Sequence, residues 1–381
     1  MKNIYWPKES WQTLGPEGPD IDTQAPAGLN QIIDNRYRNL CGLVIVRHGY
    51  LAYEHYSNGY GPDDTVHVAS VTKSILSALI GIALDKGFIN SVNQGVLEFF
   101  PEYVPGPDEF GKHEIRIKHL LTMTAPYVCD NEPFQEMCMS PDWTRFALDL
   151  LGGPMGPGTF RYSTAGAHLL SAIITRSTGM SAREFANQYL FGPIGMKTLP
   201  DYKITAANPM DFFQGRHVKG WVSDPAGNSA GGWGLTLTPR DMARFGYLYL
   251  NHGRWDQARI IPETWVGEST AMTPNNYGYL WWLFGGNKTN GSSIGTNSCS
   301  NGTNGRSNGN NSCNNGINGY AAMGDGGNII FCSPESDVVI AATASLSPDS
   351  SSLMALIMEE IIPMALTSNH PNGIGQPAQD R

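Results

Sequence analysis

The stretch His67-Val68-Ala69-Ser70-Val71-Thr72-Lys73-Ser74-Ile75-Leu76-Ser77-Ala78-Leu79-Ile80-Gly81-Ile82-Ala83-Leu84 decides how this chain is read. A serine and a lysine stand three residues apart at the mouth of an almost wholly apolar helical run. Positions i and i+3 share a helix face, so the Ser70 hydroxyl and the Lys73 amine can converge on one point. The helix start adds unpaired N–H groups and the positive end of the dipole. A hydroxyl is a weak nucleophile until a base sits beside it, and a desolvated lysine can be that base. With 28 Ser and 10 Lys in 381 residues, composition alone yields roughly 0.7 Ser-x-x-Lys pairs. The spacing therefore says little, and the setting says more: a lysine opening a helix that is apolar on all sides must reach out to water or act inside.

Outward from that stretch, 381 residues suffice for one large domain or two packed ones. The formal net charge is −9 with 25 Lys plus Arg, and no basic block appears, which excludes nucleic acid as an expected partner. No apolar run reaches membrane-spanning length; the 75–84 run is interrupted by Ser77 and Gly81. The start, Met1-Lys2-Asn3-Ile4-Tyr5-Trp6-Pro7-Lys8, lacks an apolar signal core, so a soluble, cytoplasmic chain is expected. Six cysteines are too sparse for a disulfide scaffold and form no Cys-x-x-Cys pair, and the nine His show no ligand spacing, so neither a metal nor a cofactor is expected. Cys41 and Cys332 read as core residues, while Cys299 and Cys313 share a polar tract in which an oxidising compartment would let them pair.

In chain order, residues 1–24 read as an N-terminal arm and 25–38 as a helix. Residues 41–47 and 50–56 form a hairpin turning at His48-Gly49. Residues 89–200 read as mainly helical, with helices near 115–123, 141–150, 166–178 and 181–191. Thr238-Pro239-Arg240-Asp241 opens a helix to Leu250: N-cap threonine, proline in the first helical position, an acid in the first turn. Residues 277–284 have strand composition. Residues 286–319 hold 11 Asn and 8 Gly in 34 positions, too little apolar surface to offset chain entropy, and read as a long insert between two strands. Strands 320–332 and 336–345, a helix near 350–366 and a polar 367–381 tail complete the chain. The expected class is α+β: one antiparallel sheet from both ends of the chain (about 25–66 and 270–366) beside a helical lobe (about 67–269), with the Ser70 helix at the junction, where clefts form.

An acyl-transfer serine needs a base, a group that passes the proton to the leaving group, and donors for the oxyanion. Lys73 supplies the first. Tyr162 suits the second, since a phenol can take and give a proton beside a lysine. For the third, an N–H at the start of the Ser70 helix can pair with one from Gly324-Asp325-Gly326-Gly327-Asn328, where glycines let a substrate approach the backbone.

Six stretches now stand in one order: Val46-Arg47-His48-Gly49, Ser70-Val71-Thr72-Lys73, Ile117-Lys118-His119-Leu120-Leu121-Thr122-Met123-Thr124, Gly158-Thr159-Phe160-Arg161-Tyr162-Ser163, Gly234-Leu235-Thr236-Leu237-Thr238-Pro239-Arg240-Asp241-Met242-Ala243 and Gly324-Asp325-Gly326-Gly327. Over about residues 25–366, the Asn/Gly tract aside, the chain resembles the β-lactamase-related serine hydrolases, akin to class C β-lactamases, D-alanyl-D-alanine peptidases and family VIII carboxylesterases. The resemblance implies Ser70 as acylated nucleophile, Lys73 as base, Tyr162 as proton carrier, and the N–H groups of Ser70 and Asn328 as oxyanion hole. Beside these, Thr164 and Asp325 are expected at the substrate, Gly326 and Gly327 let it approach the backbone, and Trp233, beside two glycines, is expected to line the pocket. Two positions depart from the resemblance. Tyr162-Ser163-Thr164 stands where the lactamases have Tyr-x-Asn, and Asp325 where they carry a cation, which would repel a substrate carboxylate. The expected substrate is therefore a small-molecule ester, or an amide whose neighbouring group is neutral or cationic. A β-lactamase or D-amino-acid peptidase is the alternative, and a binding homologue without turnover the alternative of another class. A rival nucleophile elbow, Gly227-Asn228-Ser229-Ala230-Gly231, lacks the strand before and the helix after that its geometry demands.

Overall fold

A computed structural model of the chain describes residues 5–7, 10–13, 29–106, 111–153, 156–204, 211–285, 318–346 and 357–362. Its centre is a six-stranded antiparallel sheet of Leu40–Arg47 (β1), Tyr50–Tyr56 (β2), Trp282–Phe284 (β3), Gly319–Gly324 (β4), Asn328–Ser333 (β5) and Val338–Ala344 (β6), in the order β2-β1-β6-β5-β4-β3. Both ends of the chain thus share one sheet, as expected. The expected single strand at 320–332 is two strands: positive φ at Gly326 (+84°) and Gly327 (+100°) folds the chain into a hairpin that pairs Gly324 with Asn328. Residues 277–284 join the sheet only at 282–284; the turn through Leu280, at φ +61°, brings Tyr277 back to bridge Trp282.

Helices Leu29–Arg36 (α1), Val71–Asp85 (α2), Trp143–Leu150 (α3), Thr164–Thr178 (α4) and Pro239–Leu250 (α5) do most of the packing. Strand side chains alternate between faces, and both faces are covered. Val44, Val46, Ile330, Cys332, Val339 and Ala341 join one core with α2 and α5. Leu43, Ile45, Ile329, Phe331 and Ile340 join another with Leu29 and Ile33 of α1 and with Ile357 and Ile361. This double burial explains why β1 reads as a continuous apolar run. α5 begins as its sequence demands, with the Thr238 hydroxyl accepting from Asp241 N at 3.0 Å. It packs on the sheet itself, although it falls in the stretch assigned to the helical lobe.

α2 is buried along almost its whole length, including Lys73, Ser74 and Ser77. It lies between the sheet and α4, which places its N-terminus at the open end of β4. β3 pairs with β4 only as far as Ala321, so the last residues of β4 form a free edge beside that N-terminus. The N-terminal arm, the Cys299–Cys313 pair and the polar tail lie wholly or largely outside the described residues. Among the described residues no helix is long and apolar enough to cross a membrane.

Two glycines separate packing from propensity. A Cβ on Gly246 of α5 would lie 2.6 Å from Val339 Cγ1 and 2.7 Å from Ile330 Cγ2, whereas one on Gly267, in the helix Glu263–Ser269, meets nothing within 4 Å. Gly246→Val should destabilise the fold by ~1–3 kcal/mol through overpacking. Gly267→Ala should stabilise it by ~0.5–1 kcal/mol. Urea midpoints of the two variants check both signs.

Candidate active site

Ser70 sits at the N-cap of α2 in helical conformation (φ −73°, ψ −4°), and its side chain makes no cap hydrogen bond. The residue before it, Ala69, is held at φ +48°, a conformation that costs a non-glycine residue about 1–2 kcal/mol. The N–H groups of Val71, Thr72 and Lys73 bond back to the carbonyls of Val68, Ala69 and Ser70. The Ser70 N–H lies ahead of these turns. It faces Gly324 at the end of β4, where a Cβ would stand 3.1 Å from Ser70 N and 2.3 Å from Val68 O. Only glycine lets strand and helix approach this closely.

Lys73 is 1% exposed. Its Nζ donates to Ser70 Oγ at 2.9 Å and to the Gly232 carbonyl at 2.8 Å, and lies 3.4 Å from Thr164 Oγ1. It also stands 4.7 Å from the centre of the Tyr162 ring. Desolvation pushes the ammonium from its ordinary 10.5 down to about 7, and the nearby Glu132 charge opposes that shift. The amine is therefore substantially neutral near pH 7, with a lone pair beside a hydroxyl. Gly232 is held close on all sides: a Cβ there would lie 2.5 Å from Thr164 Cγ2 and 3.2 Å from Lys73 Nζ.

The structure brings Ser70, Lys73, Tyr162 and Thr164 together. Tyr162 is stacked on Trp282 (6.0 Å, 19°) and edge-on to Tyr277 (6.1 Å), so Trp282 forms a wall of the site while Trp281 is fully buried. Trp233, next to Gly232, stacks on Phe213 and Trp143 and meets Phe134 edge-on; it is 8% exposed. Asp325 is exposed, and its Oδ1 accepts from Gly326 N at 2.9 Å. Asn328 opens β5 with its side chain buried, donating to Asp325 O (2.7 Å) and accepting from Ala344 N (3.1 Å). The hairpin residue set against Ser70 is Gly324, four positions earlier.

Ser229, of the rival elbow, is buried. Its Oγ accepts from Arg183 N at 3.0 Å, and strand-like chain rather than a helix follows it. His67, three residues before Ser70, is also no base. Its Nε2 accepts from Gly234 N at 3.1 Å, and burial among Phe212, Phe213 and Trp233 pushes it down to about 3. Two contributors escaped the sequence reading. One is the Gly232 carbonyl, hinted at only by the Gly-rich run Ala230–Gly234. The other is Glu132, which accepts hydrogen bonds at the start of α4 from a loop some thirty residues upstream, with no periodicity or spacing to flag it.

A serine hydroxyl, a buried and partly neutral lysine and a tyrosine at the meeting of an antiparallel sheet and a helical layer define a class. The chain belongs to the beta-lactamase family, whose model matches residues 32–357. Among its relatives is the 6-aminohexanoate-dimer hydrolase of Paenarthrobacter ureafaciens, 25% identical over 311 residues and covering 74% of each chain. The fold is shared with a Bacillus anthracis protein provisionally named a 6-aminohexanoate-dimer hydrolase (TM-score 0.64, 18% identity, 95% of this chain and 89% of that one). It is shared too with EstCE1, described as a hydrolase with promiscuous acyltransferase activity (TM-score 0.61, 16% identity, 89% and 97%).

The buried amine sets a pH dependence of stability. Between about 7 and 10.5 the unfolded chain binds the Lys73 proton and the folded chain does not, so this group makes stability rise with pH across that window, by up to about 1.4 kcal/mol per unit. Lys73→Met removes the penalty. It should be more stable than wild type at pH 7, with the gap closing toward pH 10 in denaturant melts. Equal pH slopes for the two proteins would contradict a neutral buried amine.

Proposed function

We propose that the protein is a serine hydrolase that cleaves a small-molecule ester or amide through a covalent acyl-enzyme on Ser70. The observation that carries this is the 2.9 Å hydrogen bond from a fully buried, partly neutral Lys73 amine to the Ser70 hydroxyl. The neutral amine takes the Ser70 proton as Oγ attacks the substrate carbonyl. The Ser70 N–H and a backbone N–H of the 324–328 hairpin hold the oxyanion; with Gly324 against Ser70, the N–H of Asp325 suits this better than that of Asn328. The proton then passes from Lys73, with Tyr162 as carrier, to the leaving oxygen or nitrogen, and the C–O or C–N bond breaks. Water, deprotonated by the same pair, attacks the acyl carbon and releases Ser70.

The surroundings support a substrate without a carboxylate near the hairpin. Glu132 and the exposed Asp325 are acidic, Trp233, Phe134 and Trp282 are aromatic, and the cation closest to Ser70 is its own base, Lys73. An ester, or an amide bearing a neutral or cationic group, fits this environment. The hydrolase relative named for the 6-aminohexanoate dimer makes that amide a natural member of the assay panel.

A panel of p-nitrophenyl esters, β-lactams, D-amino-acid amides and the 6-aminohexanoate dimer tests the reading. Wild type should turn over at least one ester or amide and take a fluorophosphonate label. Ser70→Ala should lose the label and at least ~10³-fold in kcat/KM, while Ser229→Ala keeps both. Labelling at Ser229, or none at all, would overturn it. On a lactam bearing a carboxylate, Asp325→Lys should raise turnover; no change or a loss would contradict the role given to Asp325.

A further inference from the structure

Glu132 makes an unusual set of contacts for a loop carboxylate. Its Oε2 accepts the Ser163 hydroxyl at 2.7 Å and Thr164 N at 2.9 Å, and its Oε1 accepts Ala165 N at 2.9 Å. These donors open α4, where N–H groups lack helical partners and the dipole favours an anion. Ser163 is the N-cap: its Oγ also accepts from Gly166 N at 2.9 Å, so its one proton is committed to Glu132. The same three-residue turn carries the catalytic geometry. Tyr162 lies just ahead of it, its ring 4.7 Å from Lys73 Nζ, and Thr164 Oγ1 is 3.4 Å from that amine.

We propose that Glu132 is a positioning residue: it clamps the Tyr162-Ser163-Thr164 turn against Lys73, and the negative charge it fixes there governs how readily the amine holds its proton. This rests on the reading of Ser70 and Lys73 as the acylation centre. Chain capping alone would need only the Ser163 side chain, which already caps α4. A carboxylate from a distant loop adds a charge, and among the described residues it is the anion that acts on the buried amine.

The titratable and charged groups around this pair are few. On the Lys73 side they are Ser70 from α2 and Tyr162, with the neutral Thr164 hydroxyl and Gly232 carbonyl completing the shell. Around Glu132, among the described residues, they are the buried phenol of Tyr127, the thiols of Cys129 and Cys138, the Asp130 carboxylate that acts on Cys129, and Arg161, whose guanidinium lies over the Tyr127 ring and donates to the Tyr127 carbonyl. Burial raises the thiols and the Tyr127 phenol above their ordinary values, so near neutral pH they are uncharged, and Glu132 is the anion facing Lys73.

The experiment follows Lys73 directly. Lysine ¹³Cε resonances are titrated in the full-length protein, with the Lys73 signal assigned by its loss in Lys73→Met, and compared between wild type, Glu132→Gln and Glu132→Asp. Glu132→Gln keeps an acceptor oxygen and the size but removes the charge. Its Lys73 midpoint should move to lower pH, and the acid limb of kcat/KM should move with it, while kcat falls roughly 10-fold or more as the turn loosens. Glu132→Asp keeps the charge; its midpoint should stay close to wild type although its shorter reach lowers kcat. A folded Glu132→Gln whose Lys73 midpoint is unchanged would overturn the proposal and leave Glu132 as a helix cap. If Glu132→Gln does not fold, a Glu132→Asp midpoint that falls well below wild type would overturn it instead. The NMR titration needs no turnover. A protein without hydrolase activity but with a Glu132-dependent Lys73 midpoint would thus refute the hydrolase reading alone.

Discussion

The site depends on one arrangement, an ammonium-forming side chain kept from water. Lys73 is enclosed by α2, the Thr164 turn and the Gly232 loop, and its three short contacts are to two hydroxyls and a carbonyl. None of these is an anion, so the charged form gains too little to offset desolvation, and the amine is partly neutral near pH 7. The Gly232 carbonyl accepts from the amine at 2.8 Å, as short a contact as the one to the serine. It orients the amine so that a lone pair or proton is directed at Ser70 rather than rotating freely.

Strain collects around the same point. Ala69, Met123 and Leu280 hold φ of +48°, +55° and +61°. Ala69 immediately precedes Ser70. Met123 receives Arg161 N on its carbonyl (2.6 Å) and Ser163 N on its sulfur (3.2 Å), which fixes the loop segment carrying Tyr162. The Leu280 carbonyl accepts the Ser74 hydroxyl (2.6 Å), anchoring α2 one turn below Ser70. Each non-glycine residue in this region costs on the order of 1–3 kcal/mol, and each is fixed by packing on both sides. The cores on the two faces of the sheet give the rigidity that makes such positions tolerable.

The walls differ in chemistry. One side is aromatic, built on Trp233 with Phe213, Trp143 and Phe134; the other carries Trp282 stacked on Tyr162. The hairpin floor ends in an exposed carboxylate, with Asp325 tied to its own turn through Gly326 N.

Local rules made much of this legible in the sequence. The apolar run after Ser70, the Thr238-Pro239 helix start and the hairpin at His48-Gly49 each depend on neighbours a few residues apart, and each forms where its residues require. The Ser70–Lys73 contact follows from helical spacing, and Tyr162 was reachable because ordered stretches of sequence point to it. What sequence could not supply depends on contacts between distant residues. The turn at Gly326-Gly327 splits an apparently continuous strand, because glycine patterns do not say which φ the chain will take. Gly324 rather than Asn328 meets Ser70, since register is set by pairing with β5 and by the room left beside α2. The Gly232 carbonyl and Glu132 have no local mark: a backbone acceptor carries no side-chain identity, and a carboxylate reaching a helix start from thirty residues upstream is placed only by the packing of the whole chain. Sequence by itself determined the Ser70–Lys73 contact and the kind of fold that holds it. Tertiary structure decided how dry the lysine is, and so how far its amine is neutral near pH 7.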